Sequence, residues 1–185
     1  MGSQSEWPPL RAGTHLSADD GACLMEWVSL TAGETWRDDP PCTHPLLAHV
    51  ARRVNDAMSD RRRSALTVFI PALIGAHHEG AWVYAAVAAA CTRTALEWHP
   101  SALVRLLDGA AVRRADPGDT RRHRLYVHGA AYRSVDLAVS AVQRLPEERA
   151  DEALRNMLRS AVDVVCGHPL APRSHRRSTR VASPW

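Results

Sequence analysis

The sequence predicts an all-α protein, a single-domain bundle of about seven helices, on three observations. Apolar residues recur at spacings of three and four through nearly every hydrophobic segment. The alternating β-branched and aromatic runs that mark strands are missing. A chain of 185 residues, 45% hydrophobic and 23% charged, has the balance of one domain that closes its own core.

The elements follow in order. A first helix is expected from Ala18 to Ala32, with Ser17 as N-cap, Asp19 and Asp20 in the first turn, and Gly33 as its stop. Thr43 is expected to cap a second, in which Pro45 sits early and Leu46, Leu47, Val50, Val54, Ala57 and Met58 share a face. The third begins near Ser59 and Asp60, carries Leu66, Phe69, Leu73 and Ile74, and must kink or break at Pro71 before stopping at Gly75. After a loop of His77, His78, Glu79 and Gly80, the fourth helix, Ala81 to Trp98, is apolar almost all round over its first eleven residues, which predicts the central element.

A fifth helix spans about Pro100 to Ala111 and leads into a loop, Arg113 to Arg124, with Asp-Pro-Gly-Asp at its heart. The sixth, about Gly129 to Leu145, places Ala131, Val135, Ala138 and Val142 in one stripe. The seventh starts at Pro146 and turns Leu154, Met157, Leu158, Ala161 and Val165 to the core, with Gly167 after it. The organisation expected is an N-terminal tail over 1–16, a helical domain over 17–166, and a Pro/Ser/Arg-rich basic tail over 167–185.

Composition excludes more than it assigns. No uncharged apolar run reaches the roughly 18 to 20 residues that cross a bilayer, since Glu79 and Arg93 bound the longest. The opening MGSQSEWPPL has neither a basic n-region nor an apolar h-region, so a cytoplasmic location is expected. The absence of Lys beside 23 Arg, with 30 Ala and few Asn, Ile and Phe, fits a G+C-rich bacterial genome rather than a selected binding surface. The net charge of +3 is mild but unevenly spread: nine acids and four Arg give −5 over residues 1–60, and eleven acids and nineteen Arg give +8 over 61–185. Complementary halves of this kind suit docking within one fold, head-to-tail self-association, or a basic binding face.

Unusual residues concentrate near the N-terminus: Cys23-Leu-Met-Glu26-Trp27, Ala32-Gly33-Glu34, Pro41-Cys42-Thr43-His44-Pro45 and Val54-Asn55-Asp56. This CLMEWVS, AGE, PxCTHP, VND order resembles the opening segment of a family of uncharacterised bacterial helical proteins. The resemblance covers roughly a third of the chain and implies no activity. Glu26 borders an apolar stripe, where a carboxylate needs compensation. With Cys23, Cys42 and His44 it offers two thiolates, a carboxylate and an imidazole, a set zinc or iron accepts, although no CxxC accompanies it. Against a metal stand two other readings. Both cysteines can be small core residues while Glu26 takes backbone N–H bonds from the intervening loop or pairs with an Arg. A Cys23–Cys42 disulfide is the other, and a cytoplasmic location disfavours it.

Elsewhere the chemistry is sparse. His77, His78 and Glu79 lack a partner motif, His123 and His128 flank Tyr126 without one, and Cys91 and Cys166 read as packing thiols. The common hydrolase and nucleotide-binding signatures are absent. Arg61 to Arg63, Arg113, Arg114, Arg121, Arg122 and Arg124, and the arginines of the C-terminal segment could meet phosphates, but no helix-turn-helix supports nucleic-acid reading. The function expected is therefore binding or assembly with a protein partner or with itself, ahead of a metal-binding regulator or enzyme and of an Arg-driven nucleic-acid accessory protein. Trp7 and Trp185, in the expected tails, could anchor a partner. The first two helices should be neighbours, with Trp27 and Leu30 near Leu47, Val50 or Val54.

Overall fold

The computed structural model describes residues 9–78, 80–115 and 129–167. All seven predicted segments are helical and the described residues hold no strand, only an isolated bridge between Leu10 and Ala22. The elements are α1 (Leu24–Thr31), α2 (Pro45–Ala57), α3 (Asp60–Arg63), a 3-10 stretch (Ser64–Phe69), α4 (Ile70–Leu73), α5 (Trp82–Trp98), α6 (Ala102–Val112), α7 (Ala131–Val142) and α8 (Glu147–Val165). The third segment is the expected broken one: its three short pieces run in series, and Pro71 opens the last.

The Ala-rich α5 lies at the centre, packed by α6, α7 and α8, while α2 packs on α7 and α8. Small side chains let the backbones approach, and ten of its residues from Val83 to Ala95 are buried. The expected faces of α2 and α8 close the core from the other side, with Leu46, Leu47, Val50, Val54, Leu154, Met157 and Leu158 buried.

The start of α1 differs from the sequence expectation. Residues Ala18–Asp20 form only a 3-10 turn, and Ser17 makes no side-chain cap bond. Gly21, at φ 103°, then turns the chain so that Ala22 can pair with Leu10, and α1 begins at Leu24. Cys23 is its N-cap instead, with Glu26 completing a reciprocal capping box. The far end is as predicted: Gly33 sits at φ 73° and the Glu34 N–H returns to the Ser29 carbonyl at 3.0 Å. At α2 the cap position belongs to His44, since the Thr43 hydroxyl donates to the Leu73 carbonyl at 2.8 Å.

The N-terminal segment is held further out than a tail ending at residue 16 implies. Asn55 accepts from the Leu24 N–H (3.3 Å) and donates to the Arg11 carbonyl (2.7 Å), and Asp56 accepts from the Gly13 N–H (2.8 Å). A polar pair at the end of α2 thus fastens residues 9–16, a long-range link that periodicity cannot reveal. Residues 1–8 and 168–185, with Trp7 and Trp185, lie outside the described residues.

Arg63, expected to be part of a basic surface, is buried. Its guanidinium donates to the carbonyls of Asn55 (2.9 Å) and Met58 (2.7 Å) and pairs with Asp60, so it closes the open end of α2. Arg63→Met should keep the packing of the stem and orphan both carbonyls. A loss of about 2 kcal/mol is expected in urea unfolding, whereas Arg62→Met, at an exposed position, should change stability by less than about 0.5 kcal/mol.

Candidate functional site

Two polar centres stand on this frame, one on α1 and one at the entrance of α2. On α1, Glu26 is fully buried. Its Oε1 accepts from the His15 N–H at 2.6 Å, and its Oε2 accepts from the Cys23 N–H at 2.7 Å and lies 2.9 Å from His15 Nδ1. The predicted compensation by backbone donors is therefore present, with His15 as an additional partner that sequence spacing did not suggest. The donors come from the segment before α1 rather than the loop after it. Trp36 locks the same segment by donating from Nε1 to the His15 carbonyl at 2.8 Å.

The four candidate ligands do not converge. The Cys23 sulfur accepts from the Glu26 N–H at 3.4 Å as a helix cap, and burial pushes its thiol pKa up to about 12. Cys42 lies 3.8 Å from the Thr43 hydroxyl, and both cysteines are free thiols. Among the described residues no group of three or more His, Cys, Asp and Glu is placed to hold a metal ion. Trp27 is buried and α1 contacts α2, while Leu30 is 43% exposed at the last turn of α1. The N-terminal motif order thus builds structure at each of its steps, forming in turn a capping box, a glycine stop, the entry to α2, and the Asn55–Asp56 fastening.

The second centre gathers aromatic and titratable groups, including two of the three tyrosines and four of the ten histidines. A cleft of about 370 Å³ opens between the 39–45 segment with the start of α2, the loop at His77, and α7. Pro40, Pro41, Pro45 and the Tyr132 ring supply apolar wall, and Asp39, Arg52 and His77 supply charge and hydrogen-bonding capacity. Asp39 is held by Arg37 at 2.7 Å, and that bond keeps its carboxyl below the usual carboxylate range. Arg52 donates to the Asp38 carbonyl at 2.9 Å and faces the Asp38 carboxylate at 3.5 Å.

Tyr132 is clamped from two sides. His49 meets its ring edge-on at 5.0 Å and is tied to Asp136 at 3.0 Å, and the Tyr84 ring lies tilted against it with centroids 6.3 Å apart. Behind Tyr84 lies His44, 2% exposed, its ring at 4.5 Å in a T-shaped contact. The His44 N–H donates to the Ala76 carbonyl at 2.7 Å, yet Nδ1 has no partner among the described residues. Burial, with His77 and His78 nearby, lowers its pKa to about 4 and keeps the imidazole neutral. The sequence singled out His44, His77 and His78 but missed Tyr84, Tyr132, His49, Arg52 and Asp136. Their spacing carries no motif, because α2, α5 and α7 bring them together only on packing. Glu79, His123, Tyr126 and His128 lie outside the described residues.

No known family model, curated protein or solved structure matches this chain, so the reading of these centres rests on their own chemistry.

The surface adds two observations. On α6 only Val104 and Ala111 are buried, and Leu103 and Leu106 are 52% and 68% exposed. Of the ion pairs among the described residues, Asp60 with Arg63 alone joins an acid of residues 1–60 to an arginine beyond residue 60. The two halves also meet at Asp136, which takes both His49 and Arg53. Arg113 is exposed, Arg114 donates to the Ala110 carbonyl at 2.9 Å, and Arg121, Arg122 and Arg124 lie outside the described residues. No helix of the described residues is long and apolar enough to cross a membrane.

Proposed function

We propose that this is a binding and assembly protein whose partner is a second copy of itself, joined head to tail. The observation that carries the reading is the outward side of α6, where Leu103 and Leu106 stand exposed beside Ala102, Gly109 and Ala110, flanked by Arg105 and Arg113. Two large side chains next to small ones form a surface into which apolar groups of a partner can fit. The complement is the acidic N-terminal region. Leu16 is 96% exposed there and Leu30 43%, with exposed Asp19 and Asp20 beside Leu16. Leu16 follows His15, which is held on Glu26, and Leu30 stands one turn beyond Glu26. The exposed charges of opposite sign in the two regions, Asp19 and Asp20 against Arg105 and Arg113, steer the contact. A heterologous contact of this kind propagates into rings or filaments.

Sedimentation velocity at increasing concentration tests the reading. Mass should grow with concentration and fall with added salt, because screening weakens exposed charge pairs beyond about 10 Å at 0.1 M ionic strength. L103S/L106S and D19R/D20R should each be monomeric. Mixed together they should give a dimer and nothing larger, since one intact surface of each kind remains. A wild-type chain that stays monomeric at every concentration, or a mixture that forms no dimer, overturns the proposal.

A further inference from the structure

The cleft at the start of α2 is independent of the assembly surface, and its walls have a chemistry of their own. Its volume of about 370 Å³ falls in the range of small-molecule sites. Two fixed charges of opposite sign line it, and neither is used up on the other: Asp39 is braced by Arg37, and Arg52 by Asp38. Pro40, Pro41 and Pro45 line it together with Tyr132, against which the His49 and Tyr84 rings pack. Prolines and a doubly clamped tyrosine lose little freedom when a ligand settles on them, so the surface is preorganised. The fully buried His44 and its edge-on contact with Tyr84 give this wall a rigid backing.

We propose that the cleft binds a free α-amino acid with an apolar side chain, its carboxylate at Arg52, its ammonium at Asp39, and its side chain against the prolines and Tyr132. A guanidinium matches a carboxylate through paired N–H donors, and an ionised aspartate is the natural acceptor for an ammonium group. A simple anion or a simple cation satisfies only one of the two walls. A zwitterion satisfies both. His77, exposed at the rim, can add a hydrogen bond to the carboxylate.

The test is isothermal titration calorimetry of the full chain with L-phenylalanine, L-leucine and L-proline, beside 3-phenylpropanoate, which lacks the ammonium, and phenethylamine, which lacks the carboxylate. At least one amino acid should bind, and both single-charge analogues should bind about tenfold or more weakly than L-phenylalanine, the loss expected for one charge-assisted contact. D39N and R52Q should each weaken amino-acid binding by about tenfold. Asp39 is exposed, so D39N keeps the test open even if R52Q disturbs the 38–52 contact. In 15N-edited spectra, ligand-induced shifts should centre on residues 39–52, His77 and Tyr132. No binding by any of the three amino acids, equal binding of 3-phenylpropanoate and L-phenylalanine, or unchanged affinity in D39N overturns the proposal.

Discussion

Glu26→Ala should lower the unfolding free energy by about 3 to 5 kcal/mol, the loss expected when a buried carboxylate is taken from several donors at once. Two backbone N–H groups and the His15 imidazole would lose their acceptor inside a fully buried site. The capping box at the start of α1 would open, and the hold on the segment leading to Gly13 and Leu10 would weaken. The structure raises the expected loss above the roughly 1 to 3 kcal/mol that one border carboxylate implies, because three donors converge instead of one. Glu26→Gln should recover part of the loss, since its carbonyl oxygen still accepts while its NH2 faces a donor. A chelator should leave the melting temperature of the wild type unchanged, as both carboxylate oxygens already have protein partners. Urea unfolding of the three proteins checks this, and Glu26→Ala as stable as wild type would leave α1 without its proposed anchor.

Acidification should destabilise the protein before its carboxylates titrate. In the unfolded chain His44 takes up a proton near its ordinary pKa of 6.5, whereas in the fold burial holds it to about 4. Between these values the unfolded state binds more protons than the native state, so stability falls as pH falls through the window. Above about pH 6.5 no cost arises, and below about pH 4 the loss is complete, at about 3 kcal/mol. His49 is shifted in the same direction, burial outweighing the pull of Asp136, and adds to the slope. His44→Phe keeps an aromatic ring against Tyr84 and removes the titrating group. Its stability should therefore fall less than that of wild type between about pH 7.5 and 4.5, with a difference of about 2 to 3 kcal/mol. Equal slopes for the two proteins would assign the acid sensitivity elsewhere.

The helical class was legible because it depends on local periodicity. The spacing of Leu46, Leu47, Val50 and Val54 and that of Leu154, Met157, Leu158 and Ala161 marks buried faces wherever the helices end up, and the all-round apolar character of the first eleven residues from Ala81 marks the centre. Gly33 announced its stop and Pro71 its break for equally local reasons. Cap identity was less legible. Ser17 and Thr43 are better cap residues by type than Cys23 and His44, but the pairing of Ala22 with Leu10 and of Thr43 with Leu73 moves the helix starts downstream.

By itself, then, the sequence determined the helical class, the buried faces and the need of Glu26 for compensation, since each follows from residue type at short spacing. Only the tertiary structure decided who supplies that compensation, which buried histidine leaves Nδ1 without a hydrogen-bond partner among the described residues, and that Asp39, Arg52 and Tyr132 meet at one cleft. Apart from the Cys23 N–H, three positions from Glu26, these groups meet across 11 positions at His15–Glu26 and 87 at His49–Asp136. The free energy of such contacts comes from burial and from polar groups finding partners across the fold, and short-range spacing does not encode either.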